Sequence, residues 1–121
     1  MTPNALRVRI AALSGALAVG LGAFGAHALA ALLAKNGTLE IWKTASLYHF
    51  IHTLVLLILG LIGERAGKSW RLIGAGTIVF SGSLYVLALT NIKWLGAITP
   101  IGGVLMIVGW LLLAVRFGRQ A

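Results

Sequence analysis

Four apolar runs, at roughly residues 10–34, 44–63, 72–90 and 94–115, constrain this chain more than any other feature. A bilayer crossing needs about 20 residues at about 1.5 Å of helical rise each, and each run supplies that length. The expected fold class is therefore an all-α membrane protein, one transmembrane domain over residues 1–121 in which four helices form an antiparallel bundle. A soluble alternative fails on composition, since 60% of the residues are hydrophobic and only 10% are charged.

Charge collects at the ends of the runs. The chain has 10 Lys and Arg against 2 Asp and Glu, an excess that in a soluble protein points to nucleic acid but here points to lipid headgroups and topology. Arg7, Arg9, Arg65, Lys68, Arg71, Arg116 and Arg119 fall on one side, and Lys35, Lys43 and Lys93 on the other. The positive-inside rule then puts both termini and the middle loop in the cytoplasm, with Trp42 and Trp94 near the outer interface and Trp70 and Trp110 toward the inner one. No cysteine is present, so disulfides, thiolate nucleophiles and Cys-based metal sites are excluded. Arg7, Arg9, the first run and Ala26-His27-Ala28 also fit a secretory signal peptide, whose removal would start the mature chain near Leu29 and leave three spans.

The connections are short. Asn36-Gly37 reads as a helix stop and Thr38 as the cap of the next helix, while Asn91-Ile92-Lys93 is barely a turn. Small residues recur at four-residue spacing in the first run: Ser14, Ala18, Gly22, Ala26 and Ala30, beside Ala11 and Gly15. Such a row lets helices approach closely in lipid, so the first helix is expected at the centre of the bundle. The third helix offers a comparable face of Gly74, Ile78 and Gly82, and the fourth offers Gly96, Gly102, Gly103 and Gly109.

Polar residues in the second run pose the functional question. On a helix Thr44, Tyr48 and His52 share one i, i+4 row and His49 and Thr53 share the next, a stripe that must face protein. Counted inward at about 1.5 Å per residue, His27, His49 and His52 reach one depth in the outer leaflet. Thr77, Ser81 and Tyr85 form a row on the third helix that meets the same level. The expected ligand-binding set is thus His27, His49, His52, Tyr48, Ser81 and Tyr85, with the three histidines as the metal-ligating subset. Thr99-Pro100 stands close by: either the fourth helix kinks there, or it begins there with Thr99 as cap and the preceding NIKWLGAIT entering the membrane as irregular backbone.

The stretch GAFGAHAL, followed by WKTASLYHFIH, FSGSLYVLALT and LGAITPIGG, resembles the uncharacterised four-helix membrane proteins grouped with transmembrane protein 256 of animal mitochondria. The resemblance covers nearly the whole chain and implies a multi-pass protein of the bacterial inner membrane. It brings no established activity and no catalytic residues.

Several functions fit these residues. The leading expectation is a non-enzymatic accessory or assembly partner in a membrane complex, touching the lipid bilayer and other subunits or copies of itself, and no nucleic acid. The alternative is a binder of haem, quinone, a metal ion or a lipid headgroup at the His/Tyr cluster, because facing helices commonly build such sites. A third reading is a small-solute transporter or channel working as an oligomer, against which stands the absence of a buried acidic residue. The run GLGAFG has dinucleotide-fingerprint spacing but lies inside an apolar span, so it is packing; Glu40 and Glu64 are too far apart for an acid/base pair.

Overall fold

A computed structural model describes residues 2–118, less the side chain of Ala26; Arg119, counted above among the basic residues, lies outside the described residues, as does Ala26's place in the small-residue row. The helices are α1 (Ala5–Ala26), α2 (Ala30–Asn36), α3 (Leu39–Ile62), α4 (Gly67–Thr90) and α5 (Thr99–Phe117), with 3₁₀ turns at Glu64–Ala66 and Lys93–Ala97. Four of the helical segments are long and apolar enough to cross a membrane, and the described residues contain no strand.

The first run does not form one helix to Ala34. At His27 the backbone leaves helical geometry (φ −122°, ψ −78°), and its N–H still bonds the Ala23 and Phe24 carbonyls. The short α2 then folds back over the ends of α3 and α4, and this buries Leu33 and Thr38 completely. Gly37, at φ +67°, supplies the left-handed turn that lets α2 end and α3 begin. Thr38 does not cap α3 with its side chain: its hydroxyl donates to the Ala88 carbonyl at 2.8 Å, and Asn36 donates to the same oxygen at 3.1 Å. These bonds satisfy carbonyls that the last turn of α4 leaves without partners.

Helices α3 and α4 are central. Helix α1 packs on α3 and α2 but not along α4, which corrects the expectation that the first helix is central. Its packed residues are Ala11, Ala18 and Gly25, while an added methyl at Gly20 or Gly22 would meet nothing. Gly25 is needed because a Cβ there would collide with the Trp42 indole, whose N–H donates to the Leu21 carbonyl at 3.0 Å. Helix α1 is thus built into the fold at both ends, since Asn4 caps it and also donates to Glu64.

Glycines also set the α4–α5 contact, though not the face expected on the third helix. Gly76 and Gly102 oppose one another so closely that a Cβ on Gly76 would lie 2.8 Å from the Gly102 carbonyl, and one on Gly109 would lie 2.6 Å from Ile73 Cγ1. Gly74 and Gly82, by contrast, serve no tight internal contact. Helix α5 begins at Thr99 with Pro100 in its first turn, but Ile98 rather than Thr99 is its cap, and a 3₁₀ turn over Lys93–Ala97 rather than irregular backbone precedes it. Thr99 spends its hydroxyl on Ser83 of α4 at 2.6 Å rather than on a cap.

Apolar cores form toward the two ends of the bundle, Leu56, Leu59, Ile73 and neighbours at one and Leu33, Trp42 and Ala88 at the other. Between them lies a layer of hydrogen-bonded polar groups.

Candidate functional site

That middle layer contains two separate networks, because α4 packs on the seam between the two polar rows of α3. In the first, His49 reaches Tyr85 Oη of α4 from Nδ1 at 3.0 Å and Ser14 Oγ of α1 from Nε2 at 3.0 Å. Ser14 in turn bonds Thr53 at 2.7 Å, and Tyr85 donates to Ser46 at 3.4 Å. Side-chain direction explains the meeting: helical side chains lean toward their own N-terminus, so Tyr85 and His49, on antiparallel helices, lean toward one another. Ser81 joins α4 to α3 by donating to the Ala45 carbonyl at 2.8 Å.

The second network ties α3 to α5. Trp110 donates its indole N–H to His52 Nε2 at 3.0 Å, and His52 Nδ1 lies 2.8 Å from the Tyr48 carbonyl. Indole only donates and a carbonyl only accepts, so both contacts place the ring proton on Nδ1. Tyr48 packs against Phe80 at 4.6 Å between centroids. Trp110, itself 44% exposed, thus donates from mid-span of α5 to α3 rather than at the membrane interface.

The expected six-residue site is thus divided. His49, Ser81 and Tyr85 come together on one side of α3, and Tyr48 and His52 lie on the other. His27 is exposed in the turn after α1. Helix α3 starts at Leu39, so His49 is about 15 Å of helical rise from that end, half of a hydrocarbon layer about 30 Å thick. The equal depths expected for the three histidines rest on a second span starting near Thr44 and a first reaching Ala34, whereas α3 starts at Leu39 and α1 ends at Ala26. No group of three His, Cys, Asp or Glu side chains among the described residues is placed to hold a metal ion. Both ring nitrogens of His49 and of His52 are engaged, so the imidazoles are held as packing partners rather than open ligands.

The first network forms the floor of a groove. Because α1 and α4 both lean on α3 without closing on each other, a cavity of about 670 Å³ runs between them. Leu13 and Leu17 of α1 and Ile78 of α4 wall it, and Ile78 is 75% exposed, so the groove opens sideways. Gly74 and Gly82 flank Ile78: an added Cβ at Gly82 would meet nothing within 4 Å, and one at Gly74 only Leu56 Cδ2 at 3.8 Å. These glycines keep the groove wide. Trp70 and Arg71 close the end nearer the α1 N-terminus, and Leu21 and Tyr85 the other.

Ser14, Thr53 and Trp110 were not among the expected site residues. Ser14 carried a usable signal, as the one hydroxyl in α1, since a lone hydroxyl inside an apolar span needs a partner.

Four long apolar helices around hydrogen-bonded polar layers, with a groove facing lipid, define a small multi-pass membrane protein. Residues 21–103 match the family model described as "Protein of unknown function (DUF423)". A UPF0382 membrane protein of Staphylococcus aureus (strain bovine RF122 / ET3-1) is 48% identical, covering 91% of this chain and 93% of that protein. The UPF0382 membrane protein YwdK of Bacillus subtilis (strain 168) is 41% identical, covering 88% and 90%. The chain belongs to this family of bacterial membrane proteins of unknown function. No solved structure matches it.

Proposed function

We propose that the chain is a non-enzymatic lipid-binding protein of the bacterial cytoplasmic (inner) membrane, its four spans acting as one domain that takes an acyl or prenyl chain sideways into the α1/α4 groove. The observation that carries this is the pair Gly74 and Gly82, which internal packing does not use and which hold open a lipid-facing cavity of about 670 Å³. Glycine costs a helix up to about 1 kcal/mol relative to alanine, so two of them beside a void are explained by something that fills it. The polar floor supports an apolar occupant, because Ser14, His49 and Tyr85 satisfy one another and ask nothing of a ligand. Haem ligation and a His-held metal are not part of this reading, since no ring nitrogen of His49 or His52 is open.

The test is the variant Gly74→Leu/Gly82→Leu, whose side chains enter open space and leave the fold intact. Extracted in native-lipid nanodiscs and then weighed by native mass spectrometry, the wild type retains a bound amphiphile and the variant loses it. Equal retention, or none in the wild type, refutes the reading.

An accessory role in a larger complex is a second reading, favoured by Gly22 of α1, where an added Cβ would meet nothing within 4 Å and another helix could approach closely. Bulky substitutions there would then abolish co-purification of partner subunits.

A further inference from the structure

We infer that the occupant of the groove is a phospholipid with an anionic headgroup, drawn from the leaflet at the Arg71 end, with its phosphate on Arg71 and one acyl chain running toward Tyr85. The inference rests on the groove being a lipid site, and it adds the headgroup class and the direction of entry.

Charge at the mouth carries it. Arg71 is exposed and lines the end of the groove, and Lys68, one turn earlier on α4, is exposed as well. Neither forms an ion pair among the described residues. The two carboxylates of the chain are committed elsewhere: Glu64 lies 3.6 Å from Arg7 and accepts from Asn4, and Glu40 lies 3.5 Å from Lys43 at the opposite end of the bundle. Among the described residues, no carboxylate is left to neutralise the mouth.

Length agrees with the direction. From Arg71 to Tyr85 the groove follows α4 for roughly 21 Å at about 1.5 Å per residue, more than the half-thickness of a hydrocarbon layer of about 30 Å. A chain anchored at Arg71 thus stays inside protein walls for its whole depth in its own leaflet. At the other end Tyr85 and Leu21 offer no cation, so an anionic head has no counter-charge there.

The experiment uses the full chain in nanodiscs of equal phosphatidylglycerol and phosphatidylcholine, with retained lipids counted by native mass spectrometry. A basic residue at the surface favours an anionic lipid about five-fold, so the wild type should enrich phosphatidylglycerol more than ten-fold through Arg71 and Lys68 together. Arg71→Gln should reduce that enrichment about five-fold while still retaining a lipid, and Gly74→Leu/Gly82→Leu should retain none. If Arg71→Gln and the wild type hold both lipids equally, the headgroup assignment is overturned and the groove remains a lipid site. If the groove-filled variant holds as much lipid as the wild type, the groove reading itself falls. Free inorganic phosphate should not compete, and competition by it would overturn the lipid as the source of the anion.

Discussion

Gly102→Ala tests the central packing argument most directly. A Cβ at position 102 would collide with the Phe80 backbone nitrogen and lie 2.7 Å from the Gly76 carbonyl and 2.9 Å from Phe80 Cα. All three are backbone atoms, so no side chain can turn aside and the helices themselves must separate. Overpacking of this kind costs up to about 3 kcal/mol, and alanine returns up to about 1 kcal/mol through helix propensity, leaving a net loss of about 2 kcal/mol where only backbone can give way. The control is Gly22→Ala, where nothing lies within 4 Å and only the propensity gain remains. Reversible unfolding in mixed micelles, followed by circular dichroism and tryptophan fluorescence, measures both. Gly102→Ala should unfold at clearly lower denaturant, and Gly22→Ala at the same or higher. If Gly102→Ala matches the wild type within a few tenths of a kcal/mol, or Gly22→Ala loses as much, the reasoning from backbone proximity fails.

Two further outcomes follow from the polar layer. A double-mutant cycle with His52→Phe and Trp110→Phe should give a coupling near the membrane average of about 0.6 kcal/mol and no more than about 1.7 kcal/mol, and zero coupling would contradict the bond between α3 and α5. Purified protein should show no haem absorption band, and His27→Ala should leave both stability and retained lipid unchanged; a band that disappears in His27→Ala or His49→Ala would restore the cofactor reading.

The histidines lie at different depths from those their places in the apolar runs imply, for a traceable reason. Depth was counted from the edges of apolar runs, but the run containing His27 is broken at that residue, and the helix carrying His49 starts five residues before the hydropathy boundary at Thr44. Neither break is visible in hydropathy, because α2 is itself apolar and Leu39–Lys43 is amphipathic. The stripe on α3 was read as one face, yet His49 and His52 are 60° apart on the helix wheel, wide enough for different neighbours once α4 occupies the seam. The glycines were legible as packing signals but not as individuals: Gly76 and Gly82 look alike in the chain, and one lies against a backbone while the other lies beside a void.

By itself the sequence determined the membrane, the four crossings and the all-helical class, because runs of about 20 apolar residues have few other ways to be satisfied. It also determined that polar groups must find partners inside the protein, since lipid offers none. Only the tertiary structure decided which partners: whether Ser14 meets His49, whether Trp110 meets His52, and whether α1 closes on α4 or stands off to leave a groove. Those choices depend on interhelical distances set by atoms far apart in the chain, such as Gly102 against Phe80 and Gly25 under Trp42, and no local pattern encodes such distances.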